Sequence, residues 1–268
     1  QIRPAMDKIN TIVRKEWSEV FKNRMVLFTV AFLPLILTAI PLGIIYFASS
    51  SADFSTVTGD IPGEFNAFCP EDFSGGDCFQ VFIVSQFMIM FMIIPLAIPS
   101  SISAYSIVGE KVNRSLEPLL ATPITTTQLL VGKSLAAVIP ALAATWIGFA
   151  IFIIGSYIMI DNPAVVRNFL DTRWLIAIFI IGPLMALSAV SFSIIVSSRV
   201  NDPRVAEQVS MIIILPVLAA FFGQMAGIIV LNVNFMIAST LVLGLIDLVL
   251  VYLSIRLFQR ETIITRWK

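Results

Sequence analysis

Apolar positions along the chain gather into six long stretches, about Met25 to Phe47, Val81 to Val108, Ser134 to Ile160, Trp174 to Val196, Gln208 to Leu231 and Phe235 to Phe258. A helix rises 1.5 Å per residue, so about 20 apolar residues cross a bilayer's hydrocarbon core, and each stretch reaches that length. Ahead of the first stretch the pattern changes. Ile9, Ile12, Val13, Trp17, Val20 and Phe21 recur at helical spacing, with Lys8, Arg14, Lys15, Glu19 and Lys22 on the other side. A helix divided in this way lies in the membrane interface, its stripe in the acyl boundary and its lysines among the headgroups. The pattern predicts an all-α membrane protein: six transmembrane helices, an N-terminal amphipathic interfacial helix and a short helix in the loop after span two.

Composition agrees. The chain is 58% hydrophobic and 13% charged, with 21 Phe and a mean hydropathy of +0.94, whereas about 25% of a soluble domain is charged. The first stretch is not expected to be a cleaved signal peptide: it is too long, a charged segment precedes it and no small-residue cleavage site follows. The expected organisation is residues 1–24 as interfacial helix, 25–258 as one transmembrane domain with an outer loop at 48–80 and an inner loop at 109–133, and 259–268 as a tail.

Charge sets the expected orientation. Arg3, Lys8, Arg14, Lys15, Lys22, Arg24, Lys111, Arg114, Lys133, Arg199, Arg204, Arg256, Arg260, Arg266 and Lys268 fall on one side, 15 of the 17 cations, against Arg167 and Arg173 on the other. By the positive-inside rule the rich side is cytoplasmic, which puts both termini inside. The net charge of zero hides this polarity, because the first outer loop carries Asp53, Asp60, Glu64, Glu71, Asp72 and Asp77 without a cation. No basic field exists beyond the membrane-flanking positions, so nucleic acid is not an expected partner. Both cysteines, Cys69 and Cys78, lie in that outer loop around Gly75-Gly76. An exported compartment permits a disulfide there; the alternative is two free thiols, and a metal site is disfavoured without histidine.

The inner loop after span two is the most informative segment. Glu110, Lys111, Arg114 and Glu117 alternate with Leu116, Leu119 and Leu120 at spacings that suit a short amphipathic helix, which Thr122-Pro123 ends. Thr125 and Gln128 have capping-box spacing for the helix running through Gly132-Lys133 into span three. After span four, Asp202 followed by Pro203 reads as an N-cap and first helical residue.

Gly109-Glu-Lys, Leu116-Glu-Pro-Leu-Leu, Ala121-Thr-Pro-Ile and Gly132-Lys resemble the pattern of permease subunits of type-2 ABC transporters, as do the six spans, the interfacial helix and the Ser197-to-Ala206 stretch. The resemblance implies a dimer of identical or homologous permeases above two separate ATPase subunits. It implies a coupling helix at Glu110 to Leu120 seated in a cleft of the ATPase, and a smaller contact at Ser198 to Glu207, with Arg199, Asp202 and Arg204. No cofactor is expected on this chain, and ATP and Mg belong to the ATPase. The outer disulfide loop departs from the family pattern. The outer stretch Gly223 to Asn234 becomes a re-entrant hairpin if spans five and six are shorter than drawn. The implied activity is export across a prokaryotic plasma membrane.

Gly132-Lys133-Ser134 imitates the end of a phosphate-binding loop, but the first glycine of that motif would fall at Thr127 and no strand precedes it, so this chain is not expected to bind ATP. With no histidine, the imidazole-based catalytic classes drop out. Asp247 alone sits deep in a span, and one carboxylate cannot form an aspartyl dyad. An ionised Asp at mid-bilayer costs about 2.5–3.5 kcal/mol, so it needs a polar neighbour, and Gln224 is the expected one by depth. Two readings of Asp247 stay open, a pathway element and a hydrogen-bonded packing residue. An ATP-independent channel or carrier using Asp247 is the competing function. Small residues at Gly223-x-x-x-Gly227 and Ala136, Ala137, Ala141, Ala143 and Ala144 suit close helix contact, at a dimer seam or within the chain. Pro95, Pro99, Pro140 and Pro216 predict interruptions of the helices that carry them.

Overall fold

In a computed structural model, which describes residues 2–50, 76–112, 124–160 and 162–257, the chain is helical throughout with six helices able to span a membrane. The interfacial helix α1 is Ile2–Val20, and span one is α2, Arg24–Ser50. Span two is divided into α3, Gly76–Phe91, and α4, Ile94–Val112. Span three is the single helix α5, Thr126–Met159. Two short helices follow, α6 (Pro163–Asn168) and α7 (Thr172–Ile176), then a π turn at Ala177–Ile181 and α8, Gly182–Arg199, which completes span four. Span five is assembled from α9 (Pro203–Ser210), a 3-10 turn and α10 (Leu215–Met225); span six is α11, Val233–Leu257.

Local chemistry fixes several of these boundaries. Thr125 and Gln128 form the expected capping box, each side chain bonding the other's backbone N–H. Asp202 accepts from the N–H groups of Arg204 and Val205 with Pro203 next in line, as its sequence predicts. Span two breaks at Met92–Ile93, just ahead of Pro95, whose missing N–H cannot continue the ladder. Span five begins and ends earlier than the sequence suggests, at Pro203–Met225 rather than Gln208 to Leu231. Its helix stops at Met225, Gly227 takes a left-handed φ of 70°, and the N–H groups of Ile228 and Ile229 both return to the carbonyl of Gly223. Gly227 therefore lies past the helix, and Gly223-x-x-x-Gly227 builds a reversal rather than a continuous packing face.

Span two is the centre of the bundle, 67% buried against 11% for span six. The other spans shield α4 and leave most of α11 exposed. In the half of the bundle away from α1, the rings of Phe91, Phe149, Phe152, Phe169 and Trp174 pack together, with Trp174 stacked on Phe149 and Phe152 at 5.5 and 5.7 Å. Span three meets span one along a glycine edge. A Cβ at Gly155 would fall 2.6 Å from Leu42 and one at Gly148 3.5 Å from Pro34, so the small residues here serve packing within the chain.

Candidate functional site

At the basic end of the bundle, α1 folds against α4 and α5 and encloses a cluster of charge. α5 spans 34 residues, about 51 Å, against a hydrocarbon core of about 30 Å, so its first turns project into the interface. Lys133 sits on the second of those turns and is 4% exposed. Its ammonium donates to Glu16 of α1 at 2.8 Å and to the Ser106 hydroxyl at 2.7 Å, and it lies 2.8 Å from the Glu110 carboxylate of α4 as an ion pair. Ser106 donates in turn to the other oxygen of Glu16 at 2.5 Å. Lys15 closes the group from the rim, bonding Glu110 at 2.5 Å. Two ammonium and two carboxylate groups balance. Only such pairing makes burial of these charges tolerable.

Burial lowers the Lys15 pKa, but the hydrogen bond and charge of Glu110, helped by Glu16 and Glu19, outweigh it and hold the group above the ordinary lysine value of 10.5. Lys15 therefore stays charged throughout neutral pH. The stability it lends the cluster is fully present below that ordinary value and is lost as pH climbs through the raised one.

Two more contacts seat α1. A Cβ on Gly132 would come within 2.8 Å of the Ile12 side chain, so only glycine lets the helices approach this closely. The Trp17 indole donates to the carbonyl of Ala136 at 2.9 Å. In an α-helix that carbonyl is served by the N–H four residues on, which is Pro140 and has none; the indole takes its place. A parallel arrangement occurs in span four. In the π turn the Gly182 N–H reaches back to Ala177, and Pro183 offers nothing to Ile178, whose carbonyl accepts from the Trp146 indole at 3.4 Å.

On the opposite flank of α4, α9 packs through Ala206 against Ala104 and Val108. Ser101 donates to Glu207 at 2.6 Å and Lys111 to the Val200 carbonyl at 3.2 Å. Arg199, Asp202 and Arg204 are exposed, with the Asp202 side chain committed to its cap.

The expected inner-loop residues divide accordingly. Arg114, Leu116, Glu117, Leu119 and Leu120 lie outside the described residues, as does Cys69, the expected partner of Cys78. Glu110 departs from its expected place on a docking surface: at 5% exposed it faces inward, because Lys15 and Lys133 give its charge a better setting than solvent on that side of α4. Sequence reading passed over Glu16, which interrupts the apolar stripe of α1 and is 2% exposed; its position beside Ile12 and Val13 on the buried side was the available signal.

A family model described as ABC-2 family transporter protein matches residues 10–256. The chain belongs to that family. A search of curated proteins finds no match. Nearly all the described elements of this ABC-2 protein, from the middle of α1 to the end of α11, fall within the matched range, so the charge cluster is part of the family domain. Membership makes the chain a membrane component of an ABC transporter.

The intramembrane polar residues of this ABC-2 protein are arranged differently from expectation. Asp247, 3% exposed, accepts a hydrogen bond from Ser188 in α8, not from Gln224. Ending span five at Met225 puts Gln224 in the last turn of α10, where its amide donates to the Ser85 carbonyl at 3.4 Å, close to Asn168, Arg173 and Trp174. Met236, Asp247 and Ser254 are the residues of span six buried along one face. Asp247→Asn keeps an oxygen for Ser188 and should leave unfolding in detergent within about 1 kcal/mol of the parent, while Asp247→Leu strands that hydroxyl and should cost about 1–3 kcal/mol. Equal losses in the two variants would assign the effect to packing.

Proposed function

We infer that the chain is the permease subunit of an ABC exporter, working as a dimer of identical or homologous copies and coupled to separate ATPase subunits that hold ATP and Mg. Its basic side is the cytoplasmic side, with both termini there, in a prokaryotic plasma membrane. The outer loop carries a Cys69–Cys78 disulfide.

The bracing at both ends of segment 113–123 carries this reading. The segment leaves α4 immediately after Glu110 and Lys111, which tie α4 to α1 and to the turn before α9, and it enters α5 through the Thr125–Gln128 cap about two turns before Lys133. A force applied to Arg114, Leu116, Glu117, Leu119 or Leu120 is thereby passed to α1, α4, α5 and α9 together, without being absorbed by a loose joint. Exposed Arg199 and Arg204 give the ATPase a second, smaller contact.

The affinity-tagged chain should bring an ATPase with it from native membranes. Combined Arg114→Ala and Glu117→Ala substitutions should reduce that ATPase by about tenfold or more, since truncating interfacial charged groups costs about 2–5 kcal/mol, while the permease keeps its melting temperature. An undiminished ATPase yield would place the coupling contact elsewhere. Transport by the chain alone in liposomes would restore the carrier reading with Asp247 as ion site.

A further inference from the structure

A groove of about 440 Å³ opens on the outer face of the seam between spans one and three. Phe21, in the turn joining α1 to α2, stands at one end, and Val30, Pro34 and Leu35 of α2 face Pro140, Ala144 and Ile151 of α5 along its length. From Pro140 to Ile151 the helix advances about 16 Å, the depth of one leaflet. The walls are apolar, and Leu35, Ile147 and Ile151 remain 40% or more exposed to whatever surrounds the chain.

The basic end of the groove has a different character. Lys22 and Arg24 flank the Phe21 turn and are exposed. The nearest acid in sequence, Glu19, is drawn to Lys15 at 3.8 Å. An apolar channel one leaflet deep, with two exposed cations next to Phe21 in sequence at its end, suits a ligand with an apolar chain and an anionic head. We propose that this groove is a binding site for an anionic phospholipid, one acyl chain lying between spans one and three and the phosphate held by Lys22 and Arg24. A zwitterionic lipid fills the same channel but lacks the net charge, and each Lys or Arg near the membrane surface favours anionic lipid. The site adjoins Pro140, which sits inside the continuous helix α5 and lacks one backbone N–H, so the bound chain lies against the part of span three that Trp17 steadies.

The test uses the full-length protein, equilibrated in vesicles of equal phosphatidylglycerol and phosphatidylcholine, gently extracted, and read by native mass spectrometry of retained lipid. The wild-type chain should retain phosphatidylglycerol over phosphatidylcholine by about tenfold. Lys22→Gln with Arg24→Gln should bring that ratio near one without removing the lipid. Ala144→Phe fills the channel and should displace both lipids, with Ala143→Phe as a second filling variant should the first fold poorly. A wild-type ratio near one, or retention unaffected by either filling variant, overturns the proposal. So does efficient disulfide formation between two copies of Ala144→Cys, which would put a second chain in the groove. None of these readings depends on the ATPase or on transport.

Discussion

Replacing Lys133 with Met should cost about 3–5 kcal/mol, the usual penalty for removing one partner of a buried ion pair, and should greatly lower the yield of folded protein. The substituted side chain has similar length, so packing survives and the loss is electrostatic. Without the ammonium, Glu16 keeps only the Ser106 hydroxyl and a Lys15 contact at 3.9 Å, while Glu110 keeps Lys15 at 2.5 Å. The damage is therefore unequal and points to a rescue. Adding Glu16→Gln leaves one cation, Lys15, and one anion, Glu110, and should recover more than half of the loss; Glu110→Gln in its place should recover less. Denaturant titration in mixed micelles measures both. A Lys133→Met chain as stable as the parent would mean that the cluster is open to water.

Trp17→Phe should cost about 1–3 kcal/mol, the penalty for leaving a buried acceptor unmade, because it strands the Ala136 carbonyl beside Pro140. The informative experiment is the cycle. Pro140→Ala supplies the backbone N–H that the indole replaces, so Trp17→Phe should become nearly silent in that background, giving a coupling of about 1 kcal/mol or more between residues 123 positions apart. Additive losses would show that Trp17 acts by packing alone. The single Pro140→Ala variant should be as stable as the parent or more so, since proline within a helix costs about 3 kcal/mol. Its expected penalty is in transport, where span three would have gained the one backbone hydrogen bond that Pro140 withholds and lost the local give that goes with it.

Much of the fold was legible because bilayer solvation acts on simple patterns. Apolar length located all six spans, and the capping residues at Thr125 and Asp202 appear as their spacing predicts. The limits are equally physical. Apolar composition continues past Met225, so hydropathy cannot see that Gly227 turns the chain there, and the depth assigned to Gln224 moved with it. Charge pattern marked Lys133 and Glu110 as inner-side residues without revealing that they meet, since their encounter with Glu16 depends on how closely Gly132 admits Ile12. Pro183 and the two indoles that serve stranded carbonyls left no periodic signal at all.

The separation of the charged partners along the chain also bears on biogenesis. Glu16 emerges from the ribosome 117 residues before Lys133. Until the third span is made, the inward carboxylate of the nascent N-terminal helix has only Lys15, 3.9 Å away at the rim, to offset it, so α1 must wait in hydrated headgroups. A ribosome arrested after span two should hold α1 accessible to aqueous probes, and one arrested after span three should not. Assembly on the inner side is thus timed by the arrival of a single lysine.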